Sequence, residues 1–238
     1  MTETFIALLL AHALTDFVFQ TRWMVANKRR PAVTLLHGAL VLGLSLACVG
    51  GAPLLAAAVA AAHVVIDLVK AWSGRAGAGA FLADQAAHLA TLGAGAALAP
   101  DAWAAGLWAG ILPAAGPVLL AQAFLFVAGL VLATRAGGFA VGLFLAGRSA
   151  DAPDDEDGLP GGGRDIGMLE RGIVFLLVWA GQPGATGLLI AAKSILRFGA
   201  VREDRRASEY VIIGTLASVA WVLCIAFASV KLRGYLAP

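Results

Sequence analysis

The chain has 238 residues, of which 60% are hydrophobic and 13% are charged, and its mean hydropathy is +0.85. Soluble domains carry about 25% charged residues, so this composition excludes a water-soluble globular protein. The formal net charge of +2 does not bear on nucleic-acid binding, and no Lys/Arg block resembles a DNA-reading surface, so no nucleic-acid partner is expected.

Continuous apolar segments follow one another along the chain. They fall at about Thr4–Arg22, Ala32–Val49, Pro53–Ala71, Phe81–Ala99, Pro117–Thr134, Ile166–Ala180, Ala185–Phe198 and Glu209–Val230. Most have the length of about 17–25 residues that a helix needs to cross a bilayer. Because they do not alternate as barrel strands do, they predict an all-α, polytopic transmembrane bundle of about six to eight helices.

Three parts of this pattern are less regular. The two segments on either side of residues 181–184 are short, and the Gly and Pro residues between them predict a helical hairpin that either spans or re-enters the membrane. An interfacial helix is predicted over Trp103–Ile111, and Gly138–Leu145 is expected to extend the fifth helix.

An acidic, glycine-rich stretch at residues 148–165 predicts a mobile cytoplasmic linker, because its composition cannot bury apolar surface. It divides the chain into an N-terminal five-helix part, residues 1–147, and a C-terminal part, residues 166–238. The second part holds the hairpin and the last transmembrane helix.

The basic residues predict the orientation. All but two of the 17 Lys and Arg residues fall on one side of the predicted helices, and the exceptions are Lys231 and Arg233. Loops rich in Lys and Arg face the cytoplasm, so both termini are predicted to be external. We therefore expect an integral protein of a bacterial-type inner membrane, in contact with membrane lipid and compatible with a homo-oligomer.

Titratable residues recur one helical turn apart in the first four predicted helices. The set consists of His12, Asp16, His37, His63, Asp67, Asp84 and His88. Residues four apart share one helix face. Since the helices alternate in direction, these groups are expected at similar depth in the cytoplasmic half of the bilayer. Ionisable groups within hydrocarbon are costly and indicate a functional site.

Several chemistries fit this set. Imidazole and carboxylate suit zinc, iron or manganese, and a bound metal activates water for attack on an ester or phosphoester. All seven residues are then candidate ligands, and Asp16, Asp84 and Lys70 are candidate catalytic groups. Alternatively, the set forms the relay of a proton- or ion-coupled transporter or channel. A third interpretation is a membrane scaffold with structural His–Asp bonds.

Two glutamines beside this set and a second polar set in the C-terminal part, expected at the cytoplasmic interface, are candidates for binding a lipid-linked or phosphorylated substrate at the cytoplasmic leaflet. They are Gln20, Gln85, Glu170, Arg171, Lys193, Arg197 and Glu209. Lys193 and Arg197 lie four residues apart, and they suit a phosphate or lipid head group if no acidic residue pairs with them.

Three motifs carry a resemblance to a known family. They are His12-x-x-x-Asp16-Phe17-x-x-Gln20, His63-x-x-x-Asp67-x-x-Lys70 and Asp84-Gln85-x-x-His88. With these motifs the chain resembles a group of bacterial integral membrane proteins that is catalogued as a domain of unknown function, and the resemblance implies no activity. More loosely, the chain is similar to membrane-bound metal-dependent hydrolases.

Overall fold

The computed structural model describes residues 1–147, 161–197 and 205–236. Within these ranges all regular secondary structure is helical, which confirms the predicted all-α bundle. Five helical spans in the described residues are long and apolar enough to cross a membrane. They are Thr2–Phe19, Pro31–Val49, Pro53–Ser73, Gly116–Leu145 and Ser208–Gly234.

The chain forms two compact units, and most of the predicted linker, residues 148–160, lies outside the described residues. The first unit is Met1–Val131 with Lys231 and the residues after it, and the second is Leu132–Val230.

The first unit contains seven α-helices among its described residues. They are α1 (Thr2–Leu14), which continues as a π-helical segment (Thr15–Phe19), α2 (Arg22–Ala26), α3 (Pro31–Val49), α4 (Pro53–Ser73), α5 (Ala78–Leu98), α6 (Leu107–Ile111) and α7 (Gly116–Val131). The interfacial helix predicted over Trp103–Ile111 is too long, because only α6 is helical and residues 101–105 form turns.

Proline and glycine set the ends of the long helices in this unit. Pro31 and Pro53 lie in the first turns of α3 and α4, where a missing N–H costs nothing. Gly50 ends α3 at φ 80°, a left-handed conformation that favours glycine. A Cβ at Gly50 would also lie 2.7 Å from Trp108 Cδ1, so a side chain has no room there.

Helix α1 is the central helix of the first unit. It contacts α3, α5 and α7, and 61% of its span is buried within the protein, against 33% for α3 and 28% for α4. Ile6, Ala7 and Leu8 are wholly buried. Because α1 is covered by other helices, its polar residues lie inside the protein instead of facing lipid.

One end of the first unit joins the start of α1 to the end of α5. Thr4 Oγ1 donates to the Pro100 carbonyl at 3.1 Å. At the same end, the Leu107 N–H donates to the Gly50 carbonyl at 2.8 Å. Helix α5 therefore runs antiparallel to α1, from His88 beside His12 to Pro100 beside Thr4.

The opposite end of the first unit is basic. Lys28 Nζ lies 2.7 Å from Asp67 Oδ1, and the Arg29 guanidinium donates to the Ala71 carbonyl. All Lys and Arg residues of Met1–Val131 belong to this end or to the helix turns next to it. They are Arg22, Lys28, Arg29, Arg30, Lys70 and Arg75.

The second unit begins with a π-helical segment (Leu132–Ala136) that continues α7 into α8 (Gly137–Leu145), as the predicted extension requires. It continues with α9 (Gly162–Trp179), α10 (Ala185–Arg197) and α11 (Arg205–Gly234). A turn at residues 180–184 joins α9 to α10, in agreement with the predicted hairpin.

Two side chains bond to carbonyl groups of this π-helical segment. Arg171 Nε and Nη2 donate to the Thr134 carbonyl, and Arg171 Nη1 donates to Ser218 Oγ at 3.1 Å. Trp221 Nε1 donates to the Leu132 carbonyl at 2.9 Å. A break in the regular helical ladder leaves carbonyls that need such partners. Arg171, predicted to bind substrate, thus supports the backbone of its own unit.

Candidate metal centre

Seven side chains from four helical spans of the first unit meet inside the protein. We call them the His/Asp cluster: His12 on α1, Asp16 on the adjoining π-helical segment, His37 on α3, His63 and Asp67 on α4, and Asp84 and His88 on α5. No side chain among them is more than 7% exposed. The structure therefore brings together all seven residues that the sequence suggested as metal ligands.

Four atoms form the centre of the cluster. Asp16 Oδ1 lies 3.3 Å from His37 Nε2 and 3.2 Å from His63 Nε2. The two Nε2 atoms are 3.0 Å apart. Asp67 Oδ2 lies 3.3 Å from His37 Nε2 and 3.7 Å from His63 Nε2. We call these atoms the four-atom centre.

Five of the six separations in the four-atom centre, from 3.0 to 3.7 Å, are close to those between ligands of a tetrahedral metal ion. Bonds of about 2.0–2.1 Å from zinc to nitrogen or oxygen place neighbouring ligands about 3.3–3.4 Å apart. Electron-rich atoms this close repel one another unless a proton or a cation lies among them. Within the four-atom centre, His37, His63 and Asp67 form a group that can hold a metal ion.

The hydrogen-bond network determines which nitrogen of His12 carries a lone pair. Gln85 Nε2 donates to Asp84 Oδ2 at 3.1 Å, so the amide oxygen of Gln85 accepts from His12 Nε2 at 3.2 Å. A neutral imidazole protonated on Nε2 has its lone pair on Nδ1. That atom has no hydrogen-bond partner among the described residues and lies 3.8 Å from Asp16 Oδ2.

His88 is oriented in a similar way. Its Nδ1 donates to the Asp84 carbonyl at 2.9 Å, which leaves the lone pair on Nε2. A histidine that binds a metal usually donates its other N–H to a carbonyl or carboxylate. His88 Nε2 is buried and has no hydrogen-bond partner within the described part of the chain.

The unpaired polar atoms of the cluster all offer electron pairs. They are His12 Nδ1, Asp16 Oδ1, Asp84 Oδ1 and His88 Nε2, judged against the residues that the structure describes. A buried polar atom without a partner costs about 1–3 kcal/mol. A cation satisfies such atoms together, so the buried His and Asp groups can hold a metal ion.

Two lysines neutralise part of the cluster. Lys28 Nζ lies 2.7 Å from Asp67 Oδ1, and Lys70 Nζ lies 2.7 Å from Asp84 Oδ2. Their side chains are 18% and 35% exposed. Lys28 was not predicted as a site residue, because it stands in a run of three basic residues that the orientation rule already explains.

Asp16 lies within the π-helical segment that ends α1. The Gln20 N–H donates to the Thr15 carbonyl at 2.9 Å, five residues back along the chain. Within this wider turn, Asp16 is closer to His37 and His63 on other helices than to His12 on its own helix. Such segments often occur at functional sites.

The two glutamines predicted to bind substrate lie in the network of the cluster. Gln85 bonds to Asp84 and His12. Gln20 Nε2 lies 3.1 Å from His37 Nε2. Their amide groups contact cluster side chains directly, which suits a role in orienting them.

The predicted substrate residues of the C-terminal part have other partners. Lys193 Nζ lies 2.6 Å from Glu170 Oε2, and both side chains are 20% exposed. Glu209 forms an exposed pair with Arg205 at 2.9 Å. The side chain of Arg197 lies outside what the structure describes. The prediction that Lys193 binds a phosphate or lipid head group required that no acidic residue pairs with it. Because Glu170 pairs with Lys193, that requirement is not met.

The fold and the cluster define an α-helical membrane protein with a buried His/Asp site. Residues 4–103 match the family described as "Protein of unknown function (DUF3307)". This match confirms the predicted resemblance to a family of unknown function, and it covers all seven cluster residues. No curated protein and no solved structure matches the chain.

Proposed function

We propose that the protein is a metal-dependent membrane hydrolase or transferase that acts on a lipid-linked or phosphorylated substrate at the cytoplasmic leaflet. The observation that carries the proposal is the convergence of buried lone pairs on His and Asp side chains. Hydrogen bonds that only join helices need a donor for each acceptor, and these atoms lack one among the described residues.

The proposed metal is a divalent transition ion. Ligands of imidazole and carboxylate type, without sulfur, suit zinc, iron or manganese. His37, His63, Asp16 and Asp67 would hold the ion, and His12 Nδ1, which forms a group with Asp16 and His63, would be a further ligand. Such an ion makes bound water acidic enough to act as a nucleophile on an ester or phosphoester.

The charged groups at the edge of the cluster support a phosphorylated substrate. Lys70 is paired with Asp84, but its side chain is 35% exposed, against 20% for Lys193, which leaves its ammonium group open to phosphate oxygens. Asp16 Oδ2, the oxygen outside the four-atom centre, is the proposed proton acceptor near the reacting group, and Asp84 positions Lys70. Lys28 and Lys70 belong to the basic end of the first unit, which favours the cytoplasmic leaflet.

Metal content tests the proposal. Detergent-purified full-length protein, dialysed against buffered zinc or manganese, is expected to retain at least one ion per chain by elemental analysis. Asp16→Asn removes a charge and a ligand from the four-atom centre, so metal affinity is expected to fall at least about tenfold. Asp101→Asn, in an exposed turn, is the matched control and should bind as the wild type does. Metal-free wild-type protein with an intact unfolding transition would exclude the proposal.

A second candidate function is a proton- or ion-coupled transporter or channel. It is favoured by the chain of contacts from Gln85 through His12 and Asp16 to His63, because alternating His and Asp side chains can relay protons. Proton flux in liposomes that Asp16→Asn abolishes, without bound metal, would favour it. A scaffold instead predicts that His63→Ala lowers stability only.

A further inference from the structure

Two electron-pair donors of the cluster lie outside the four-atom centre, on one turn of α5. Asp84 Oδ1 and His88 Nε2 are buried and have no hydrogen-bond partner within the described ranges. The remaining polar atoms of these side chains are already bonded. Lys70 holds Asp84 Oδ2 at 2.7 Å, and His88 Nδ1 donates to the Asp84 carbonyl at 2.9 Å.

Asp67 links these donors to the four-atom centre. Asp67, Asp84 and His88 each offer a ligand atom, and the three atoms lie within 4.8 Å of one another. The ring centroids of His63 and His88 are 4.2 Å apart. Asp67 is therefore placed to contact ions on both sides, and paired catalytic metals lie about 3.5–4 Å apart.

We propose that the cluster holds two divalent ions, the second bound by Asp84 Oδ1, His88 Nε2 and an Asp67 carboxylate shared with the first. This inference rests on the proposed function. Three protein ligands are the number that catalytic zinc sites have. The second ion thus keeps a position open for water or a substrate oxygen.

Two ions also specify the class of substrate. The positive charges of the two ions, Lys28 and Lys70 together outnumber the negative charges of Asp16, Asp67 and Asp84. Excess charge in a buried site is costly until a counter-ion compensates it. A phosphate monoester or a diphosphate supplies that negative charge, whereas a neutral ester does not. The preferred substrate is therefore a phosphorylated compound.

Metal stoichiometry tests the inference on the full-length protein in detergent. After removal of metal and titration with Mn²⁺, wild-type protein and Asp101→Asn are expected to bind two ions per chain. His88→Gln is expected to bind one, because it loses a ligand of the second ion only. Two ions that share a carboxylate should also give a spin-coupled EPR spectrum, which requires no variant to fold.

The outcomes separate the two proposals. One ion in the wild type, with the EPR spectrum of isolated Mn²⁺, overturns the second ion and leaves the proposed function standing. No bound ion overturns both. Two uncoupled ions, or two ions retained by a folded His88→Gln variant, show that the second ion lies elsewhere and overturn the assignment to Asp84 and His88.

Discussion

Gln85 is an uncharged residue that fixes two members of the cluster. It follows Asp84 directly in sequence, and its amide nitrogen donates to that carboxylate. Its amide oxygen then accepts from His12 Nε2, so the His12 lone pair falls on the side of Asp16. The Gln85 side chain on α5 therefore orients a histidine on α1.

Substitution of Gln85 is expected to weaken metal binding without removing a ligand. Gln85→Met keeps the length of the side chain but frees the His12 ring, and loss of such an orienting partner weakens metal affinity by about 10- to 100-fold. Competition with a chromogenic chelator measures the change. Thr91→Val, which removes a hydroxyl bonded to the Ala87 carbonyl on the same helix, should leave affinity unchanged. Equal affinity in Gln85→Met would show that His12 orientation does not matter.

The sequence identified the cluster residues but not their partners. The spacing of four residues predicts a His12–Asp16 contact, yet Asp16 is nearer to His37 and His63. The periodicity of hydrophobic residues reports which helix face is polar, not a local π turn within it. Contacts between helices, such as Lys28 with Asp67, depend on packing that the periodicity of a single sequence does not specify.

Among the elements, the pair α3 and α4 brings two histidines of the four-atom centre together. His37 and Gly38 are neighbours on α3, and His63 and Val64 are neighbours on α4. A Cβ on Gly38 would lie 2.8 Å from Val64 Cγ2. Only glycine at position 38 allows α3 and α4 to pack this closely. The Nε2 atoms of the neighbouring residues His37 and His63 are 3.0 Å apart.

Gly38→Ala is therefore expected to separate His37 from His63. The β-branched side chain of Val64 has few alternative rotamers, so the helices must shift. We expect a loss of about 1–3 kcal/mol in stability, as in other overpacked sites, together with weaker metal binding. Thermal unfolding and metal titration measure the two effects. Gly43→Ala is the matched control, because no atom lies within 4 Å of its added Cβ. If both variants bind metal alike, the close approach does not position the histidines.

At the scale of the whole molecule, the orientation of the first unit in the membrane depends on whether α5 crosses it. This helix has 21 residues but is not among the five most apolar spans, because it carries Asp84, Gln85 and His88. It nevertheless runs beside α1, from the cluster to the Thr4–Pro100 hydrogen bond. Since α1 has the length and apolarity of a membrane span, we expect its antiparallel neighbour to cross the same thickness. Sequence hydropathy alone underestimates such a helix, because its buried polar groups lower the mean hydropathy.

Labelling of single cysteines tests whether α5 crosses the membrane. Asp101 follows α5 and Arg75 precedes it, and both residues are exposed. In a chain with Cys48→Ala and Cys224→Ala, Asp101→Cys is expected to react in intact cells with a membrane-impermeant maleimide. Arg75→Cys should react only after the membrane is opened, because basic loops are retained on the cytoplasmic side.

The same two variants distinguish the ways in which this prediction can fail. If both cysteines react from the same side, α5 does not cross the membrane beside α1. If they react from opposite sides in reversed order, the crossing stands but the basic end faces outward. A substrate at the cytoplasmic leaflet would then have no access past Lys28 and Lys70, so the result also constrains which leaflet supplies the proposed substrate.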